Sequence, residues 1–410
     1  MALSFPFFRT LLVLLASAGC AEASTTSVIY GFKGGADTYF PESGVVAGRG
    51  GALYGVSPFG GAGGKGAVYE LRPPAKAGGA WSERVIHSFT GDAADGERPQ
   101  GRLWFDAASG ALYGTTTGGA SGLGNVFRLA PPAKAGGTWA LTVLYRFKGD
   151  RDGANPFAGL VRGKDGTFYG TTYNGGVGAR GTVFALSPPT PSRPKWTERL
   201  LATFAGGSDG SVPLGGVSLD AAGNLYGTTL GGGAAGQGTV YRLRRPASAT
   251  GKWTKTLLYG FGAGDDGHQP EGELLVGPGG VLYGTAASGG GIGAGPGYGV
   301  VFALAPGASA AAAWKETVIY RFKGGDDGAG PQAGLLRDAK GNLYGVTSRT
   351  AFKLTPAGAT WRESVLHVFG TAPDGVAPWC TPVKGADGAL YGTTFAGGPT
   401  GLGTVFRLVP

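Results

Sequence analysis

Leu225-Tyr226-Gly227-Thr228-Thr229, a run of glycines, then Gly238-Thr239-Val240-Tyr241-Arg242-Leu243, Trp253 and Phe261 decide the fold of this chain, because the same order recurs along nearly its whole length. Leu or Phe followed by Tyr-Gly recurs in register at Tyr54, Tyr113, Tyr169, Tyr226, Tyr283, Tyr344 and Tyr391, a period of about 57 residues. A unit of that length, with glycine doublets and regularly placed aromatics, cannot bury its own faces without neighbours and reads as a propeller blade.

The spacings are stiffer than the residues. From the aromatic of the Val-Phe or Val-Tyr element to the next Trp is twelve positions in five copies, as from Tyr241 to Trp253, and Phe352 to Trp361 is shortened. Each Trp precedes by eight positions the Phe that ends its segment, at Phe89, Phe147, Phe204, Phe261, Phe322 and Phe369. An Asp and then a Pro follow in every copy: Asp37/Pro41, Asp95/Pro99, Asp152/Pro156, Asp209/Pro213, Asp266/Pro270, Asp327/Pro331 and Asp374/Pro378. Alternating β-branched and aromatic residues bounded by Gly, Pro and Asp predict four short strands per unit: after the Pro, at Leu-Tyr-Gly, at Val-Phe-x-Leu, and from Trp to Phe. No stretch after the leader has a helical period.

The ends set the blade number. Val28-Ile29-Tyr30-Gly31-Phe32 is an outer strand without its blade, and Val405-Phe406-Arg407-Leu408 is a third strand without its outer partner. Joined, they complete a seventh blade and remove the edges that would template aggregation. The expected fold is therefore an all-β, seven-bladed propeller over residues 24–410, closed by its N-terminal strand. Gly makes up 84 of 410 residues without a collagen period, and 42% hydrophobic residues with eight Trp argue against disorder.

Residues 1–23 read as a secretory leader, with Arg9 before an apolar run from Leu11 to Ala16 that is too short to span a membrane. Two cleavage readings stand. Ser17-Ala18-Gly19-Cys20 resembles a lipobox, which would end the leader at residue 19 and lipidate Cys20, whereas Ala21-Glu22-Ala23 suits ordinary signal peptidase. The expected location is outside the cytoplasm: periplasmic, extracellular or lipid-anchored to the envelope. Cys380 stands where other copies carry Gly101, Ala158, Gly215, Gly272 and Ala333, so it is expected to be a small buried residue. The formal charge of +9 is scattered without a dense basic run, which argues against nucleic acid and for solubility with a mild preference for acidic envelope polymers. A monomer is expected.

Three His residues are too few for a convincing His-based metal site. His87 and His367 fill a slot held elsewhere by Tyr30, Tyr145, Tyr259 and Tyr320, and read as substitute aromatics; His268 is read in a loop. Propeller connectivity should place the seven Asp loops and the glycine-doublet loops on one face. Asp150, Asp152, Asp265, Asp266, Asp326 and Asp327 offer clustered oxygens for calcium, but calcium wants about six to eight ligands and one loop supplies about three. The competing reading, an Asx turn at each blade junction, explains why all seven copies keep the Asp. No cofactor other than calcium is suggested.

Function is then expected where the copies disagree near the channel. The residue after the Pro reads Glu42, Gln100, Phe157, Leu214, Glu271, Gln332 and Trp379, and two positions later glycine gives way to Arg102 and Glu273. Gln100, Arg102, His268, Glu271, Glu273, Gln332 and Trp379 form the candidate site, with Trp379 as a stacking platform. The leading reading is a non-catalytic binding or scaffold propeller for an envelope or extracellular polysaccharide or a protein partner. One rival is a carbohydrate hydrolase or lyase using Glu271, Glu273, His268 and Arg102, since paired carboxylates about 5 to 9 Å apart can act as acid and base. A second rival is calcium-dependent adhesion.

The sentence Leu-Tyr-Gly-Thr-Thr, Gly-Gly, Gly-Thr-Val-Phe-x-Leu, as at Leu112 to Leu129 and Leu390 to Leu408, resembles the GloVer-type (Gloeobacter/Verrucomicrobia) tandem repeat of exported bacterial proteins. That resemblance covers nearly all of the chain after the leader and implies an extracytoplasmic propeller-type repeat without an assigned activity, often with a C-terminal anchoring segment. Here the sequence stops at Pro410, so the expectation is that only Cys20 could serve as a tether. The order Gly-Gly, aromatic, Trp is also similar to kelch propellers, an analogy that speaks to fold alone.

Overall fold

The computed structural model describes residues 24–410 apart from 77, 93, 135, 150, 249–250, 263–264, 292–296, 310–311 and 371. The leader, Cys20 and Asp150 therefore lie outside the described residues. Seven antiparallel sheets follow one another round a ring. The fourth is representative: Ser218–Leu219, Leu225–Thr229, Thr239–Arg244 and Thr254–Gly260 pair in chain order from the channel outwards. The seventh takes Val383–Lys384, Leu390–Thr394 and Thr404–Val409 from the C-terminal end and Thr25–Gly31 from the N-terminal end, with Thr25 opposite Val409 and Gly31 opposite Thr404. No helix among the described residues is long and apolar enough to cross a membrane.

The packing explains why the repeat contains the residues it does. In each blade the tip of the third-strand ring lies against the glycine of Leu-Tyr-Gly. A Cβ on Gly227 would sit 2.4 Å from the Tyr241 hydroxyl, and one on Gly345 would sit 2.5 Å from Cζ of Phe352. The same buried ring receives the edge of the Phe that ends the preceding blade: Phe32 on Tyr69 at 5.1 Å, Phe147 on Phe184 at 5.1 Å, Phe261 on Phe302 at 5.2 Å. Edge-to-face aromatic pairs add to the area they bury. Further out, the Tyr of Leu-Tyr-Gly meets the Trp of the next blade, as Tyr391 meets Trp81 and Tyr169 meets Trp253. Gly, ring and Phe are thus one interlocking contact repeated round the ring, joined by the Trp at five of the seams, and their spacing has to be stiff.

Polar residues of the repeat also act across seams. The first Thr of Leu-Tyr-Gly-Thr-Thr donates to a carbonyl of the following blade, from Thr171 to Gly215, from Thr285 to Ala333 and, at the ring closure, from Thr393 to Ser43 at 3.1 Å. Six of the seven Pro rest on the glycine that opens the third strand of the preceding blade, so a Cβ on Gly238 would sit 2.5 Å from Pro270 Cδ; before Pro378 that position is Arg349. Asp and glycine-doublet loops do share one face, and there they go further than loops. Thr38–Tyr39 pairs with Phe59–Gly60, Gly267–His268 with Ser288–Gly289, and Gly375–Val376 with Ala396–Gly397. His268 accordingly lies in a short strand where the sequence suggested a loop. The two-residue ribbons are too short for the periodicity by which strands are recognised.

The conserved Asp of each junction ties its own loop. Asp37, Asp152, Asp266 and Asp327 each accept the hydroxyl of the outer-strand Tyr, at 2.8, 2.6, 2.7 and 2.5 Å, and a backbone N–H from the residue after the terminal Phe. His87 and His367 stand in that Tyr slot, their Nε2 atoms 3.3 and 2.8 Å from Asp95 and Asp374. Burial holds the His87 imidazole below its ordinary pKa. At the Phe204 junction, which has no Tyr or His, Lys255 of the following blade reaches Asp209 at 2.6 Å. These contacts account for the Asp collar as a set of turn anchors. Among the described residues no group of three or more His, Cys, Asp or Glu is placed to hold a metal ion.

Candidate functional site at the channel mouth

Where each chain segment enters a blade, the Pro turns it inwards and the next side chain points over the channel. Glu42, Gln100, Phe157, Leu214, Glu271, Gln332 and Trp379 therefore form an upper ring round a cavity of about 260 Å³. The residue after each is small, from Ser43 to Cys380, because the seam leaves no room: a Cβ on Gly101 would stand 2.3 Å from the Ala158 carbonyl oxygen. Cys380 is buried, accepts the Thr393 N–H at 3.0 Å, and has its thiol pushed up in pKa by that burial.

One residue deeper lies a second tier of Gly44, Arg102, Gly159, Gly216, Glu273, Gly334 and Thr381. The glycines make space for the two long side chains. Arg102 comes from the second blade and Glu273 from the fifth, and they meet across the channel with Nη2 3.1 Å from Oε2. Both also line a lower cavity of about 500 Å³ walled by Leu, Val and Trp104, so the ion pair is the floor of the mouth.

Gln100, Arg102, Glu271, Glu273, Gln332 and Trp379 are brought together in this one cavity, whereas His268 is not among its lining residues. Of the possible acid–base pair, Glu273 is engaged by Arg102, and Glu271 has no such partner among the described residues. Burial raises the Glu271 carboxyl above the usual range. Burial raises Glu42 as well, against the opposing pull of the Gln100 amide at 2.5 Å and the Arg98 charge.

Beside the mouth lies a feature that single-residue reasoning missed. The Trp379 indole stacks on Phe395 with centroids 4.7 Å apart, and Phe395 stacks on Phe40 at 5.0 Å across the seam between the last and first blades. Phe40 continues edge-on to Phe59, which stacks on Tyr39. Trp379 is 39% exposed, the others less. The signal was present: Phe40 stands where the other blades have Arg98, Asn155, Val212, Gln269, Gly330 and Ala377.

A family model described as the Gloeobacter/Verrucomicrobia repeat matches residues 20–198 and again 190–351. The chain belongs to that repeat family. The Tyr-Gly, Gly-Thr-Val-Phe and Trp positions that recur along this chain are those that build the seams described above. The mouth residues, by contrast, vary from one copy of the repeat to the next. No curated protein matches the chain in sequence. Among solved structures it is similar to virginiamycin B lyase from Staphylococcus aureus, with TM-score 0.50, 10% identity and 94% and 99% of the two chains covered. It is also similar to the extracellular domain of a hybrid two-component system of B. thetaiotaomicron, with TM-score 0.50 and 12% identity over 90% of this chain and 39% of that one. A gluconolactonase from Xanthomonas campestris follows, with TM-score 0.44, 12% identity and 93% and 99% covered. At these identities the likeness is one of fold alone.

Proposed function

We propose that this protein is an exported, non-catalytic binding propeller that takes a glycan at its channel mouth. The observation that carries the reading is the row Trp379-Phe395-Phe40, a partly exposed aromatic shelf opening directly onto a ring of hydrogen-bonding side chains. Sugar rings present C–H faces to aromatic planes and hydroxyls to polar groups, so a shelf next to a polar well suits them. Turnover by an acid–base pair is disfavoured because Glu273 is neutralised by Arg102 and His268 stands outside the cavity. Calcium-mediated adhesion is disfavoured because, of the candidate carboxylates, Asp152, Asp266 and Asp327 already accept a Tyr hydroxyl and a backbone N–H within their own loops.

Calorimetric titration with a panel of bacterial envelope and plant oligosaccharides tests this. The expected result is binding that Trp379→Ala weakens at least tenfold with an unchanged melting temperature. Hydrolysis or elimination of any bound oligosaccharide would instead support an enzyme, and affinity untouched by Trp379→Ala would remove the shelf from the site.

A further inference from the structure

We infer that the mouth selects a ligand bearing a protonated amine, which in a glycan means a de-N-acetylated amino sugar; this rests on the reading of the mouth as a glycan site. The whole chain is basic, at +9, but its channel mouth is not. Four charged side chains line the cavity, and Arg102, the one cation among them, is neutralised by Glu273 across the channel. Glu42, which feels the Arg98 charge from outside the cavity lining, and Glu271 remain. They lie on opposite sides of the ring, from the first and fifth blades, and Glu271 has no charge or hydrogen-bond partner among the described residues. A half-buried carboxylate without a counter-charge gains from a cation brought to it.

Orphaned hydrogen-bonding atoms point the same way. Gln100 presents its Nε2 to the Glu42 carboxylate, which can only accept, so its Oε1 is turned away and stands buried without a partner. Ser43, only 8% exposed in the cavity wall beside Glu42, has its Oγ unpartnered as well. Gln100 Oε1 and both carboxylates are acceptors, and Ser43 Oγ can accept; an ammonium group offers three donors and a charge. Trp379, in the same ring next to Glu42, adds a π-face, which attracts cations and stacks on sugar rings. An N-acetylated sugar lacks the charge, and an acidic sugar would meet two carboxylates. The surrounding net positive charge repels polycations elsewhere on the protein, so amine binding is confined to the mouth.

The test is calorimetric titration of the purified protein with the fully deacetylated glucosamine tetramer, its fully N-acetylated counterpart, cellotetraose and tetralysine. The expected result is at least tenfold tighter binding of the deacetylated tetramer than of the other two sugars. Glu42→Gln and Glu271→Gln should each erase most of that preference without altering the melting temperature. Equal affinity for the acetylated and deacetylated tetramers, or a preference that survives in the Glu42→Gln/Glu271→Gln double variant, overturns the amine selectivity while leaving the glycan reading intact. Tetralysine binding with no binding of any sugar overturns the glycan reading, and no binding of any probe overturns both.

Discussion

The guanidinium of Arg102 and the carboxylate of Glu273, 171 residues apart in sequence, meet at 3.1 Å across the central channel and line both the mouth cavity and the chamber below it. Each side chain is about one-third exposed, so solvent screens the pair and its coupling should be near 1 kcal/mol. A double-mutant cycle with Arg102→Met and Glu273→Gln, read by chemical denaturation, checks that value. A coupling within error of zero would mean that the two side chains contribute as separate solvated charges.

Four seams carry a second kind of carboxyl contact that makes stability depend on pH. Glu83, Glu198, Glu316 and Glu363 stand two residues after their Trp and are each pushed up to about 7, first by burial and then by the Asp of the adjacent junction. Glu83 faces Asp37, Tyr30 and Lys33; Glu198 faces Asp152 and Lys148; Glu316 faces Asp266 and Arg321; Glu363 faces Asp327 and Lys323. One carboxyl oxygen of each Glu is buried without a partner. Because the folded pKa exceeds the unfolded one, the folded state holds these protons more tightly. The stabilisation is full below about pH 4.5 and is lost as pH rises through about 7. His87, lowered by burial, acts in the opposite sense, losing stability as pH falls through about 6.5. The wild-type protein should lose melting temperature from pH 5 to 8 relative to the quadruple Glu→Gln variant, whose curve should be flatter. Parallel curves would exclude these four groups as the cause.

The glycine of the repeat's Leu-Tyr-Gly is there for space. Gly227→Ala places a methyl group 2.4 Å from the Tyr241 hydroxyl in a fully packed seam and should cost about 2–3 kcal/mol or prevent folding. Gly370→Ala, at a site with nothing within 4 Å, should be neutral or slightly stabilising by denaturant titration. A tolerated Gly227→Ala would show that the ring over it is free to move.

Tyr69 and Tyr241 fill a position that is Phe in the other five blades, and their hydroxyls are buried without a partner. Burying an unpaired hydroxyl is unfavourable. Tyr241→Phe and Tyr69→Phe should each raise stability by about 1 kcal/mol, measured as a shift of the denaturation midpoint at constant slope. A loss of stability on either substitution would reveal that the hydroxyl is satisfied in solution.

Much of this architecture is legible in the sequence. The ring positions at Glu42, Gln100, Phe157, Leu214, Glu271, Gln332 and Trp379 could be listed from register alone, because each follows its Pro by one residue and the propeller repeats the same turn. The role of Asp37 and its counterparts as turn anchors was likewise the simpler reading, and the Tyr and His slot now supplies the bond partner. The ribbons on the mouth face escaped because two-residue strands carry no pattern. The Phe40–Phe395 stack escaped because its members lie 355 positions apart and meet only when the ring closes.

What the sequence determined by itself was the repeat, the number of blades and the tier on which each variable residue would stand, since all of these follow from local spacing copied seven times. What only the tertiary structure decided was which variable residues meet: Arg102 with Glu273, Gln100 with Glu42, Trp379 with Phe395 and Phe40. The Arg102–Glu273, Gln100–Glu42 and Phe395–Phe40 contacts run across the channel or between blades, where side-chain reach and the ring's closure set the partners and spacing along the chain says nothing.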